Sequence, residues 1–431
     1  MIALFQDAPT HPIHQMMVDD AFAEKVTKIF RKAFGTDLTV FRAGGSNFPL
    51  LVGERPKLDQ GEDELKETFV SRLKLSTVPL SEQGDGMKSF TSIILHSLFR
   101  GLISVRMLDE PEAFLHPPQA RVIGEFLSRE KNPDSQLLIA THSSDVLEGL
   151  ISGGEKKVRI IRIQRKGNVN TIKELSRDKV AKISNDTLIK YSNVLEGIFY
   201  QHVIVCESDS DCLFYQSILS TTAVSGDVVP DVLFIHGAGK HRVSQLSDTL
   251  RDLGVPVSVI VDIDILKEEK TMRELFESVG GIWSDIAGEF QRVKLSIDQK
   301  RPNSNADGIS TKIREALQGV GGEGVFPKET EREIKKLLAS TSAWDEIKRS
   351  GKSALSGGPI SRDFEHIQTA CNNNGLWIVP VGELEGFCKS VEGHGPSFVA
   401  EVLEGKNLES DPDLLEARNF MKLIWNSVTN E

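Results

Sequence analysis

The chain has 431 residues, 39% hydrophobic and 26% charged, with a formal net charge of −11, a balance that argues against a protein whose main surface is a nucleic-acid groove. Its length predicts two or three domains; no apolar run approaches the roughly 18 residues needed to cross a bilayer, and the opening ten residues are too short and lightly charged for a signal peptide, so a cytoplasmic location without membrane association is expected. The four cysteines, Cys206, Cys212, Cys371 and Cys388, are scattered without CxxC spacing and read as small buried hydrophobes rather than disulfides or zinc ligands.

Val18 to Phe34 predicts an amphipathic helix ended by Gly35, followed by short strands at Leu38–Phe41 and Leu50–Val52. After a charged stretch, Glu54–Glu67, residues 80–150 alternate turn, helix, apolar strand, helix, apolar strand and helix, as in a parallel α/β sheet. Leu80 to Ser89 is a Gly-rich turn, containing Ser81, Gly84 and Gly86, that runs into a helix over Phe90–Leu98. Such a turn aims backbone N–H groups and the helix dipole at an anion. Ile103–Leu108 is an apolar strand ending in Asp109 and Glu110, adjacent acids of the kind that hold magnesium (Asp109) and act as general base (Glu110) in nucleotide-hydrolysing sites. Arg106 breaks the apolar pattern without a reason visible in the sequence. Leu115-His116-Pro117 follows, and a second strand, Leu137–Ala140, ends in Thr141 and His142. No phosphate-cradling GxxxxGK[ST] loop precedes these elements. Gly351-Lys352-Ser353 has Glu346 at the first-glycine position, follows a helical stretch and lies on the wrong side.

From Glu155 to Lys182 ten Lys or Arg stand against three Asp or Glu, which reads equally as a solvated connecting hairpin and as a phosphate-backbone contact strip. Val203–Val205 is a buried strand, followed by Glu207 and the helical-looking Ser210–Tyr215, so Glu207 and Asp211 at i and i+4 are expected to face the same way. Val257–Val261 is a second buried strand, and Asp262 and Asp264, two apart, are expected to project together from its end. If the strands are neighbours, the four carboxylates converge. Capping accounts for Asp209 or Asp211, but not for Asp262 and Asp264 without a cation to offset their repulsion. Oxygen-only ligation suits Mg²⁺ or Mn²⁺ rather than zinc. Residues of about 267–370 read as a mainly helical insertion before Leu376–Val381 restores a strand; Glu383 and Glu385 at its end could add a ligand, and the sequence does not choose between them. Lys240, in a Gly-rich turn after the strand Val232–Ile235, is a candidate phosphate contact; for it, as for Lys389 and His394, a solvated side chain is the simpler reading.

The ordered elements of the first half resemble the ABC-type ATPase head, with Leu80–Ser89 as its signature loop, Asp109 and Glu110 as Walker B, the segment Glu112–His116 as the D-loop and His142 as the switch histidine. Cys206–Asp211, Val261–Asp264 and Val381–Phe387 resemble the TOPRIM fold of topoisomerases, primases and some nucleases. An ABC head followed by TOPRIM resembles the OLD (overcoming lysogenization defect) family of ATP-regulated nucleases, which include anti-phage effectors. The resemblance implies an α/β fold with a partial ABC-type head over residues 1–175, a connector at 176–198, and a TOPRIM domain over 199–431 carrying the insertion. It implies a divalent-metal-dependent DNA endonuclease or nickase in which Glu207, Asp211, Asp262 and Asp264, with Glu383 or Glu385, hold two ions and Lys240 supports the phosphate. Ser81, Gly84, Gly86, Asp109, Glu110 and His142 would face nucleotide at the head. The expected partners are DNA, further copies of the chain joined through the head, and a separate defence-system protein.

ATP belongs to the family, but without a phosphate loop its binding by this chain alone is expected to be weak or absent. Either the chain is the C-terminal portion of a longer protein, which the abrupt polar start favours, or the head persists as a scaffold. The alternative functions are accordingly an impaired ATPase-like scaffold that assembles with a partner and a topoisomerase- or primase-type TOPRIM enzyme. A topoisomerase needs a tyrosine nucleophile on a separate arch, whereas Tyr191, Tyr200 and Tyr215 all flank the first TOPRIM strand.

Overall fold

In a computed structural model of the chain the described residues are 9–44, 48–99, 104–130, 135–154, 158–175, 180, 193–222, 230–237, 239–300, 306–318, 320, 326–339, 342–355 and 357–430. Most of the expected connector, Tyr191 included, and both ends of the basic stretch lie outside the described residues. The chain divides into two compact units, Met1–Ile163 with Ile172–Phe199, and Gln164–Thr171 with Tyr200–Glu431. Among the described residues no helix is long and apolar enough to cross a membrane.

In the first unit the helix expected over Val18–Phe34 is α2 (Asp20–Phe34), and a helix without a sequence expectation, α1 (Pro12–Val18), precedes it. Asp19 separates them, because its extended backbone stops α1 while its carboxylate accepts from Phe22 N at 3.0 Å and caps α2. Strands β1 (Leu38–Val40) and β2 (Leu50–Gly53) pair antiparallel. Helix α3 (Glu67–Ser76) and strand β3 (Thr77–Pro79) had no sequence expectation: the charge of the preceding stretch masks the spacing of Phe69 and Leu73, which anchor α3 in a small core with Leu51. Helix α4 (Asp85–Leu98) begins ahead of the predicted Phe90. Strand β4 (Val105–Asp109), helix α5 (Pro117–Arg129) and strand β5 (Gln136–Ala140) form a parallel β-α-β unit, with Asp109 opposite Ala140 at its end. Arg106 now has its reason. Its guanidinium donates to the carbonyls of Ser97 and Phe99 at 2.8 and 3.1 Å, satisfying the C-terminal end of α4.

Helix α6 (Ser144–Gly154) lies against α5 at glycine distance: a Cβ on Gly124 would stand 2.3 Å from the Val146 carbonyl oxygen, and one on Gly149 2.2 Å from that of Arg121. Buried Ala120, Ile123, Leu127, Val146 and Leu150 join Phe30, Phe90 and Ile94 in the main core of this unit. Gly149→Leu is therefore expected to prise α5 from α6 and destabilise the protein by about 1–3 kcal/mol or more, readable as a lower urea midpoint. Strands β6 (Ile160–Lys166) and β7 (Val169–Leu175) form the two-stranded hairpin expected from the basic stretch, exposing Ile161, Ile163, Val169 and Ile172.

The second unit is built on a four-stranded parallel sheet. Strand β8 (His202–Cys206) leads through α7 (Asp209–Thr222) to β9 (Val232–His236), then through α8 (Lys240–Asp252) to β10 (Val257–Val261). The helices α9 (Glu269–Ser278), α10 (Ala287–Gln299), α11 (Ala306–Leu317), α12 (Lys328–Ala339), α13 (Ala343–Ser350) and α14 (Pro359–Asn373) make up the helical insertion, and α14 feeds β11 (Leu376–Ile378), shorter than predicted. Helices α15 (Pro396–Gly405) and α16 (Leu415–Asn430) close the chain. The strand order is β11-β10-β8-β9, and β8 and β10 are neighbours as expected, with Val203 opposite Val257. Period-two alternation sends Ile204, Cys206 and Ile260 into an aromatic core with Phe214, Tyr215, Phe387 and Phe420, while Val203, Val205, Val259 and Val261 are buried on the opposite face. Cys206, Cys371 and Cys388 are buried and free. From β8 the sheet grows to β9 on one side and to β10 and β11 on the other. The carboxyl ends of β8 and β10 thus flank the point where strand order reverses, the place where open α/β sheets form a ligand crevice.

Candidate metal centre

Glu207 follows β8 directly, and its Oε1 accepts from Asp262 N at 3.1 Å, stitching the ends of β8 and β10 together. Asp262 is extended, and Asp264 sits in the 3₁₀ turn Ile263–Lys267 that follows it. The two acids therefore do not share a strand face, as the sequence had suggested; the tight turn folds Asp264 back toward Asp262. One carboxylate oxygen from each of Glu207, Asp262 and Asp264 lies within 4.8 Å of the others.

Asp211 behaves differently. It is the third residue of α7, and its Oδ2 accepts from Ser208 N at 2.9 Å while Asp211 N donates to Ser208 Oγ at 3.2 Å, a reciprocal capping box. Glu207 precedes the helix, so the i, i+4 relation expected of this pair does not apply, and Asp211 is outside the three-carboxylate group. Its neighbour Asp209 accepts from Ser210 N.

Beyond β11 the chain turns through Pro380-Val381-Gly382 before reaching Glu383, and Glu385 lies in the 3₁₀ turn Leu384–Phe387. Glu383 is buried, with Oε2 3.3 Å from Lys348 Nζ. Glu385 Oε1 accepts from Gly395 N at 2.8 Å and lies 3.0 Å from His394 Nδ1. Glu383, Glu385 and His394 thus form a second donor group within 4.8 Å, in which His394 is exposed to solvent, as expected, while lying against Glu385. Lys389 is exposed.

Among the described residues two ammonium groups face the acids. Lys240, the first residue of α8, pairs with Asp264 and lies 4.0 Å from Glu207 Oε1. Lys348, on α13, lies 3.9 Å from Asp262 Oδ2 in addition to its contact with Glu383. Sequence reasoning missed Lys348, because it stands on an ordinary charged helix of the insertion. The one local signal is Gly382, at φ 109, whose Cβ would stand 2.0 Å from the Lys348 carbonyl oxygen, and that signal is legible only once the contact is known.

Electrostatics shows what the acids lack. Burial, then Glu207 and Asp264, push the Asp262 carboxyl well above the ordinary range. Burial also raises Glu207 to about 6, with Lys240 and the Asp262 N–H opposing and Asp264 and Asp211 adding. Asp211 is raised by burial against its bonds from Ser208, and Glu383 by burial against Lys348. Burial works against the Lys348 ammonium, yet Asp262, Asp264 and Glu383 hold it above its usual range. Two lysines do not satisfy this set. Oxygen donors that converge in this way fit a hard divalent cation such as Mg²⁺ or Mn²⁺.

The residues expected at a nucleotide site lie in the first unit. Ser81 is exposed in the 3₁₀ turn Leu80–Glu82, Gly84 is exposed at the start of α4, and Gly86 backs onto the Phe114 carbonyl oxygen, 2.4 Å from where a Cβ would stand. Asp109 and Glu110 are exposed at the end of β4, and Glu110 N donates to Ala140 O at 2.9 Å. His142 Nδ1 lies 3.5 Å from Glu110 Oε1 and 3.4 Å from Glu112 Oε1. Glu112, which the sequence offered only as part of a loop, is buried and accepts from Thr141 Oγ1 at 2.7 Å and His142 N at 3.1 Å. The structure thus brings Glu110, Glu112 and His142 together at the ends of β4 and β5.

A family model described as an AAA domain, putative AbiEii toxin, type IV TA system, matches residues 20–148. Endonuclease GajA of Bacillus cereus (strain HuB5-5) is 26% identical over 230 residues, which cover 48% of this chain and 32% of that protein; the chain therefore matches about a third of the length of this relative. A solved structure from work on ATP-driven dimerization and DNA-stimulated activation of SMC ATPases covers 38% of the chain and 89% of its own, at 16% identity and a TM-score of 0.26.

Proposed function

We propose that this chain is a divalent-metal-dependent DNA endonuclease or nickase of the OLD type, with a TOPRIM domain over residues 199–431, a connector at 176–198 and a partial ABC-type head over 1–175. The observation that carries the reading is the convergence of Glu207, Asp262 and Asp264 at the strand-order reversal, all three at the carboxyl edge of a buried parallel sheet. The named activity of the endonuclease relative supports it. Bound there, a divalent ion supplies charge stabilisation and a nucleophile at neutral pH for phosphodiester hydrolysis. Glu207, Asp262 and Asp264 would hold one ion; Glu383 and Glu385, with the uncapped oxygen of Asp211, would support a second. Lys240 orients Asp264 and places positive charge where a scissile phosphate would lie. Nucleotide at the head, faced by Ser81, Gly84, Gly86, Asp109, Glu110 and His142, would gate the nuclease by joining copies of the chain, in anti-phage defence or DNA processing and in company with a separate defence protein.

Plasmid nicking tests this directly. With Mg²⁺ or Mn²⁺ the chain is expected to convert supercoiled DNA to open-circular or linear product, and the Asp262→Ala, Asp264→Ala double variant to leave it supercoiled. Equal products from both would refute the nuclease. In a second reading the head acts only as a scaffold; ATP binding by this chain alone is then expected to be weak or absent, and micromolar affinity in equilibrium dialysis would count against it.

A further inference from the structure

The loop that precedes α15 is shaped around one side chain. His394 stands between Gly393 at φ 118 and Gly395 at φ 58, backbone angles that favour glycine, and Pro396 then starts the helix. That path folds the loop back over the turn Leu384–Phe387. Gly395 N and His394 Nδ1 both reach Glu385 Oε1, at 2.8 and 3.0 Å, and Ser397 Oγ donates to the His394 carbonyl at 3.0 Å. A carboxylate can only accept, so Glu385 draws the proton to Nδ1, fixes the tautomer and leaves a lone pair on Nε2. An exposed imidazole is thereby oriented, and with Glu383, which is buried, the group holds two carboxylates and one imidazole within 4.8 Å.

This donor set differs in kind from Glu207, Asp262 and Asp264. Three carboxylates suit a hard ion such as Mg²⁺, whereas an imidazole favours the first-row transition ions and adds little for Mg²⁺. Lys348 joins the two groups, 3.9 Å from Asp262 Oδ2 and 3.3 Å from Glu383 Oε2, so both face one crevice. We propose that His394 is a metal ligand that sets ion specificity: with Glu383 and Glu385 it makes the second ion position select a first-row transition ion over Mg²⁺, so that the two positions take unlike ions. Its consequence for catalysis rests on the nuclease reading above, while the site itself stands on these three donors. In Mg²⁺ alone the second position is then weakly held, and a transition ion completes the pair.

The test reads the ion directly. Mn²⁺ bound to the DNA-free protein is expected to show ¹⁴N coupling from a histidine in its electron spin-echo modulation. The Asp262→Ala, Asp264→Ala variant, which keeps only the second position, is expected to retain that coupling. His394→Asn, a change at an exposed side chain, is expected to lose the coupling and to bind Mn²⁺ at the second position at least about 10-fold more weakly, the lower end of what even an outer partner costs, with Mg²⁺ affinity unchanged. In plasmid nicking the advantage of Mn²⁺ over Mg²⁺ is expected to shrink by a similar factor. Wild-type Mn²⁺ without ¹⁴N coupling, or coupling that survives His394→Asn, would overturn the proposal. So would equal losses of Mn²⁺ and Mg²⁺ affinity, the mark of a side chain that only holds its loop. Equal plasmid products from the wild type and the Asp262→Ala, Asp264→Ala variant would refute the nuclease reading instead, and the ¹⁴N coupling would still decide the site.

Discussion

Replacing Asp262 by Asn is expected to abolish metal-dependent nicking and, at the same time, to raise the melting temperature of the ion-free protein. Asp262 sits at the centre of the acidic set, and its carboxyl is raised by burial and by Glu207 and Asp264. Without an ion the folded chain must either keep a proton there or bury an incompletely compensated charge, and both oppose folding near neutral pH. Asn keeps the shape and removes the charge. The backbone bond from Asp262 N to Glu207 survives the change, so a gain of about 1–3 kcal/mol is expected, or about 2–4 °C per kcal/mol for a unit of this size. Activity should fall more than about 100-fold, beyond what loss of an outer-shell partner costs. Saturating Mg²⁺ should then reverse the stability order, because binding at 100 times the dissociation constant adds about 2.7 kcal/mol to the wild type alone. A variant less stable than the wild type in EDTA would show that Asp262 serves the fold, through Lys348, and is not reserved for an ion.

Why the centre could be partly read from the sequence is a matter of range. Val203–Val205 and Val257–Val261 are β-branched runs buried on both faces, a local signal, and acids placed directly after such runs have few structural reasons to be there. That signal points to Glu207, Asp262 and Asp264, whose carboxylate oxygens lie within 4.8 Å of one another. Asp211 shows the limit: Ser-x-x-Asp ahead of a helix has the same letters whether the carboxylate caps or binds an ion, and only the geometry shows that Oδ2 is engaged by Ser208 N. Asp264 was placed correctly near Asp262 for the wrong reason, since a 3₁₀ turn and a strand end both bring residues two apart together. Lys348 was invisible because its role is set by a contact between α13 and the turn before Glu383, and no short-range pattern encodes that contact. Arg106 and Glu112 were opaque for the same reason: each is explained by carbonyls or N–H groups on another element.

Glu207→Gln is expected to gain stability on the wild type as pH rises in EDTA, and to lose that advantage when Mg²⁺ is added. Glu207 is raised from 4.5 to about 6, so between those values the folded state holds a proton that the unfolded chain has released. Stability from this group is fully present below the ordinary value and is lost as pH rises through about 6, amounting to about 2 kcal/mol. Asp262, Asp211 and Glu383 are shifted in the same direction. His202 runs the other way: burial holds it near 4, so its unfavourable linkage disappears as pH rises toward its ordinary value. The absolute melting temperature mixes these trends, whereas the difference between Glu207→Gln and the wild type cancels His202 and isolates the carboxylate set. Because an ion must displace the retained protons, Mg²⁺ should raise the wild-type melting temperature strongly at pH 7.5, little at pH 5, and not at all in the Asp262→Ala, Asp264→Ala variant. A pH-independent difference, together with a melting temperature indifferent to Mg²⁺ at pH 7.5, would mean that these acids are balanced by Lys240 and Lys348 alone and that the crevice does not select a divalent cation.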